Sequence, residues 1–449
     1  MTIFINSIPS LLFSLLASQI LYLVYCEFLS KIKLGDVLIN DVASIRRYLL
    51  KILFFTLFFY GIYLSFAWMT VDGGLFFYNY VDQFHFWEKC EELARYDTLG
   101  KIFEDCFVYR IHIEQEAIYF IFGTLGHFAN KFLGGNNIYF QMYWVSFFAI
   151  LINLTVARLA LLFTGKNSAF KWSLLFALAS FLIGYSPWLL RDVHIAFLFT
   201  FGLLMIFRGI TLWGIFLQLL ILLCLYQLRY ESCFLYLPLL GYYLWFTGKF
   251  TSAKILFRTC AILGGLCMLI GASGFIIDTV LNTGTSYNEW TAGKAMEGGL
   301  ARYIYQLPLG IRHFFILVYS QMTPFPFYTP IFVCQTLPQF FLESINAISP
   351  VVWPYIAFFT VYRFSRPNEL RTSPLIIKFL LIYTTLFLIA NSTNIHFRRL
   401  LGVTPIIFLL FLYSMKRTNA KARSNFSFVF CTTYIAGLVF YIVIKGGIA

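Results

Sequence analysis

Charge is what this sequence has least of. Only 12% of its 449 residues are Asp, Glu, Lys or Arg, about half the roughly 25% of a soluble domain. Acids are the scarcer sign, 20 against 33 basic residues. This balance excludes an ordinary soluble globular domain. The chain also lacks a Walker A sequence, a GxGxxG turn and an HExxH helix. A nucleotide-driven mechanism therefore has no support, and no catalytic metal or cofactor is expected. The nine cysteines show no metal-ligand spacing, and most lie in apolar runs, where Cys is a small buried hydrophobe. No internal repeat is visible, which disfavours the commonest secondary-transporter plans.

What fills the chain instead is apolar: 60% hydrophobic and 20% aromatic, with 54 Phe. Runs of about 20 apolar residues mark a polytopic membrane protein. The expected fold is all-α, a transmembrane helical bundle of about 10–12 spans in a single integral membrane domain over 1–449. Its first partner is the lipid bilayer. The net charge of +13 does not call for nucleic acid, because cytoplasmic loops that obey the positive-inside rule account for it. In the first 30 residues the basic Lys31 and Lys33 follow the apolar run and no small-residue cleavage site is evident, so this run reads as a retained span.

Spans are expected at about 8–26, 48–69, 137–163, 172–187, 193–207, 211–228, 233–246, 255–277, 345–362, 375–390, 400–415 and 426–444. Segments placed in the cytoplasm are rich in Lys and Arg and hold only Glu27, Asp36, Asp41 and Glu369 as acids. The opposite face then carries two polar segments, 70–116 and 278–342. Residues 72–116 hold ten Asp and Glu against four Lys and Arg. Cys90 and Cys106 share this stretch and can pair if it lies in an oxidising compartment. Residues 117–135 read as a helix in or dipping into the outer interface. Prolines 324, 326, 330 and 338 argue for a re-entrant or interfacial stretch over 313–342.

Several charged groups come out on that outer face. Arg191, Asp192 and His194 follow Pro187. The bland reading is a helix start with Asp192 on the dipole. The sharper one is an arginine for a lipid-linked pyrophosphate, since the planar guanidinium gives paired charged hydrogen bonds to phosphate. Arg229 and Glu231 form the next short turn, as a salt bridge or as functional groups. Arg398-Arg399, preceded by His396 and Asn394, run against the orientation rule and suit a diphosphate. Contact with acidic headgroups is the alternative. Arg302 and Arg312 flank the Pro-rich stretch. Asp82, Asp192 and Glu116 are the candidate bases, because a carboxylate beside aromatic residues can be tuned for proton transfer. The alternative for each is a solvated loop acid. Nucleotide sugars are cytoplasmic, so a site on the outer face must use a membrane-carried donor.

Together these segments resemble a family. The acidic first loop, SPWLLRDVHIAFLFTFGLLMI, LRYES, LARYIYQLPLGIRHFFILVYSQMTPFPF and NIHFRRLLGVTPIIFLL are similar in layout to bacterial polysaccharide repeat-unit polymerases. These are the Wzy-type and EpsG-like O-antigen or capsule polymerases, within the GT-C-like membrane glycosyltransferases. The resemblance implies an inner-membrane enzyme with its active face in the periplasm. It would join polyprenyl-diphosphate-linked oligosaccharides, alongside a chain-length regulator and a flippase of the same pathway. Arg191, Arg229, Arg398 and Arg399 would hold diphosphate, with Arg302 and Arg312 as further candidates. Asp82, Asp192 or Glu116 would act as base, supported by His194, Glu231 and His396. GT-C enzymes that use single lipid-phosphate sugars usually carry adjacent acids early in the first loop. Here Asp72 and Asp82 lie ten residues apart, so the base stays open. A single-sugar transferase using a polyprenyl phosphate donor and a lipid-linked oligosaccharide flippase are the other readings. Charge concentrated at helix ends, rather than along mid-span, favours an enzyme.

Overall fold

A computed structural model describes residues 8–34, 41–71, 81–109, 116–246, 300–323, 325–392 and 397–447. All regular structure among them is helical. In chain order come α1 (Ile8–Lys31), α2 (Val42–Met69), α3 (Val81–Ala94), α4 (Leu99–Phe103) running into a π-helical turn (Glu104–Val108), α5 (Glu116–Phe132) and α6 (Ile138–Ala160). Then follow α7 (Lys166–Ala179), α8 (Leu182–Tyr185), α9 (Arg191–Arg208), α10 (Leu212–Leu228) and α11 (Tyr230–Phe246). After 247–299 come α12 (Leu300–Tyr305), α13 (Leu309–Ser320), α14 (Thr329–Phe332), α15 (Leu337–Asn346), α16 (Ile348–Phe364) and α17 (Pro367–Thr372). The last are α18 (Leu375–Ala390), a 3₁₀ turn (Phe397–Leu400), α19 (Thr404–Arg417) and α20 (Ala420–Gly447).

Five segments are long and apolar enough to cross a membrane: α1, α2, α6, the continuous α15–α16 pair and α20 as far as Val443. Leu212–Leu228, Ile311–Ser320 and Leu375–Ala390 are apolar but shorter. Of the expected spans, 255–277 lies outside the described residues.

α6 is the axis. It is buried along nearly its whole length and packs against α1, α2, α7 and α9. Its start is fixed locally: Asn137 is the N-cap, its Oδ1 accepting from the Phe140 amide at 2.9 Å, which satisfies one orphan donor of the first turn. α6 and α9 run in the same direction, since Phe148 meets His194 while Phe163 meets Phe207. α19 joins them where Phe163 also meets Tyr413. One end of the bundle therefore holds the start of α9, and the other holds Arg158, Arg363 and Arg417.

Two expectations are corrected. Residues 172–187 are not one helix: α7 begins earlier, at Lys166, and ends at Ser180, which is extended (φ −76°, ψ 146°). The span expected from residue 400 starts later, because Phe397–Leu400 is a 3₁₀ turn and Pro405 sits in the first turn of α19. There its missing N–H is one that would have no helical partner anyway. For the same reason Pro338 opens α15 rather than breaking it, and Thr336 with Gln339 completes a capping box. Over its described part the long polar segment is largely helical. α3 lies against α5, Phe86 packs on Tyr119 and Phe122, and the Cys90 thiol donates to the Phe122 carbonyl at 3.2 Å. Cys90 and Cys106 are both buried and both free.

Candidate functional site

The α10–α11 corner is built on one residue. Arg229 is extended (φ −168°, ψ 111°) between the last residue of α10 and the first of α11. The turn is a single residue, so Arg229 itself stands at the apex. The Leu228 carbonyl, left without a partner by the end of α10, accepts from Arg191 Nη1 at 3.0 Å. Arg191 thus ties the start of α9 to this corner. α9 itself begins after Leu190, which offers no side-chain cap. Asp192 does not serve that end alone: its Oδ1 accepts from Arg229 Nη1 at 2.9 Å, with the two side chains 1% and 9% exposed.

Around this pair lies a narrow crevice of about 30 Å³, lined by Asp192 and Ile195 of α9, Arg229, Glu231 and Ser232 at the corner, Asn391 after α18, and Arg398, Arg399 and Gly402. Such a volume holds about two waters. Gly402 lets the last segment approach, because a Cβ there would meet the Phe199 ring at 3.3 Å. Phe397, stacked on Phe181 at 3.8 Å between centroids, pins the 3₁₀ turn that carries the two arginines. Arg398 Nη1 also reaches Asp82 of α3 at 2.8 Å.

The lining thus sets three guanidinium groups against two carboxylates. Burial alone would raise the Asp192 carboxyl, but Arg229, Arg398 and Arg191 outweigh it and hold it below its ordinary value. For Arg398, burial opposes the charge, yet the carboxylates of Asp192 and Asp82 more than offset this and raise it. Arg399 differs. Its side chain is exposed by area, yet the protein packed around it and then the charge of Arg229 lower it. Among the described residues no acceptor lies within hydrogen-bond or ion-pair distance of it.

The structure therefore brings Asp192, Arg229, Glu231, Arg398, Arg399 and Asp82 together. Arg191 is adjacent but turned to the Leu228 carbonyl. His194 is packed between Phe122 and Phe148 at 5.9 and 4.6 Å between ring centroids and does not line the crevice. Glu116 opens α5, buried near Cys106 rather than at the crevice. Arg302 is exposed on α12 and Arg312 buried on α13, and neither lines it. His396 and Asp72 lie outside the described residues. Asn391, a site the sequence did not single out, also lines the crevice. Among the described residues no three His, Cys, Asp or Glu side chains gather as metal ligands.

A second cavity, about 500 Å³ and almost wholly apolar, lies between α1, α6, α9 and α10. Of its α9 residues, Phe197 and Phe201 are on the helix face opposite Ile195 and Phe199. The two cavities are therefore separated by α9. In comparisons with known proteins, no family model, no curated protein and no solved structure matches this chain.

Proposed function

We propose that this chain is a bacterial inner-membrane polysaccharide polymerase of GT-C-like plan, with roughly ten to twelve spans, that joins polyprenyl-diphosphate-linked oligosaccharide units at the periplasmic face. The observation that carries this reading is Arg399. It is an exposed guanidinium in the lining of a crevice that holds two further arginines and two carboxylates, with no counter-ion at contact distance among the described residues. An arginine held this way favours an anion with several oxygens, and a diphosphate supplies them.

In this reading the acceptor hydroxyl attacks the anomeric carbon of the donor glycan. The new C–O bond forms as the bond to diphosphate breaks, and the diphosphate departs with the electron pair. Arg398, Arg399 and Arg229 stabilise the charge that develops on it. The proton of the acceptor hydroxyl needs a carboxylate that is not already clamped. Asp192 is buried in its ion pair, whereas Glu231 lines the crevice with no guanidinium at ion-pair distance among the described residues. Glu231 is the base and Asp192 a positioning residue that orients Arg229.

The test is a surface-glycan gel of cells lacking the gene. Collapse of a ladder to single-unit glycan, rescued by wild type and not by an equally expressed Arg399→Ala, is the expected result. An unchanged ladder rejects the polymerase reading for that glycan and favours a side-branch transferase or a flippase.

A further inference from the structure

The arginines of the crevice are compensated in part by a residue that does not belong to its walls. Arg229, Arg398 and Arg399 face Asp192 and Glu231 in the lining, and Asp82 adds the third carboxylate through Arg398 at 2.8 Å. Arg398 is already occupied by Asp82, so a diphosphate that is to use this guanidinium competes with a carboxylate for it. For an anion to engage all three guanidinium groups of the lining, a carboxylate must withdraw.

The three carboxylates differ in how readily they can withdraw. Asp192 is 1% exposed and fixed to Arg229, and its removal would leave a buried cation unpaired. Glu231 does not occupy a guanidinium among the described residues. Asp82 does, and its side chain is 38% exposed, so water can take over its solvation at small cost. It also sits in the first turn of α3, where the helix dipole stabilises a released carboxylate. α3 packs on α5 rather than on the elements that form the crevice walls. Asp82 can therefore move away without unpacking α9, α11 or α19.

We propose that Asp82 is a stand-in for substrate phosphate: its carboxylate occupies Arg398 until an incoming diphosphate displaces it, and α3 thereby gates the crevice. This rests on the reading of the crevice as a diphosphate site. It gives Asp82 a role opposite to that of a base. Removing a base abolishes turnover and leaves diphosphate binding unchanged, whereas removing a stand-in tightens binding.

The test is binding of inorganic pyrophosphate and, in parallel, farnesyl diphosphate to the full-length protein in detergent, for wild type, Asp82→Asn, Asp82→Ser and Arg398→Ala. Each variant is first checked for monodispersity. Because the displaced pair is partly exposed, Asp82→Asn and Asp82→Ser are expected to bind both compounds roughly two- to five-fold tighter than wild type. The gain should shrink in high salt. Arg398→Ala should bind both more weakly than wild type. Equal or weaker binding by both Asp82 variants overturns the stand-in while leaving the diphosphate site intact. Failure of wild type and both Asp82 variants to bind either compound overturns the diphosphate site and the stand-in with it.

Discussion

Arginines gather at both ends of this bundle, and they find their partners in different ways. At the α6 C-terminal end, Arg158 donates Nε to the Leu29 carbonyl at 2.9 Å and Nη2 to the Ile32 carbonyl at 2.7 Å. It thereby caps the last turn of α1, where carbonyls lack helical partners and the dipole favours a cation. Arg363 bonds Glu369 and donates to the Arg417 carbonyl at 3.1 Å. At the crevice end the cations face carboxylates rather than helix ends, apart from Arg191, and Arg399 faces none at contact distance among the described residues. Cations that cap helices hold the fold together. On the proposed reading, cations gathered without full compensation hold a place for an anion.

The largest effect that separates these groups is expected at the buried pair. Arg229→Ala leaves Asp192 charged and unpaired, at a cost of about 3–5 kcal/mol, read as loss of the monodisperse protein or a steep fall in Tm. The double variant Asp192→Leu/Arg229→Met should recover most of that stability and none of the activity. Recovery of activity as well would show that the pair is structural only. Next comes the opposite end. Arg158→Met removes two charged hydrogen bonds to carbonyls and should lower stability by about 2–3 kcal/mol, while pyrophosphate affinity stays within error of wild type in the folded fraction. A loss of affinity there would erase the contrast between the two ends.

Arg399→Ala should invert that pattern. Its Tm should stay within a degree or two because no counter-ion is orphaned, and diphosphate affinity should fall about ten-fold, the equivalent of roughly 1.4 kcal/mol. A large drop in Tm would place Arg399 with the structural arginines. The smallest expected effect is that of pH. The folded-state value of Asp192 lies below its ordinary 3.8, so its contribution to stability is full above 3.8 and is lost as pH falls through the folded value. Urea midpoints should therefore differ between wild type and Asp192→Asn by the same amount at pH 7 and pH 5, the gap closing only below about pH 4. A gap that closes between pH 7 and 5 would mean that Asp192 is not held by the arginines.

Much of this layout was legible in the sequence. α18 matches the expected 375–390, and α10 and α6 lie within a few residues of expectation, because continuous apolar runs leave little ambiguity about helix existence. Arg229, Arg398, Arg399 and Asp192 stood out because charge inside apolar sequence is costly and needs a reason. What could not be read was which charges meet. The Asp82–Arg398 contact joins residues 316 positions apart, and no local pattern encodes it. His194 looked chemical in sequence beside Arg191-Asp192, yet its helix phase turns it between Phe122 and Phe148. Arg158 sat unnoticed within a long apolar run. Its role depends on the ends of α1 and α6 meeting, which only packing reveals.

The most direct measurement is elongation by the purified protein in liposomes supplied with polyprenyl-diphosphate-linked repeat units, followed by glycan size on a gel. Wild type should produce lipid-linked glycans of two or more units and release polyprenyl diphosphate, and Arg399→Ala should produce neither. If repeat units cross the bilayer or remain single while the protein is folded, a polymerase built on the arginine crevice is contradicted.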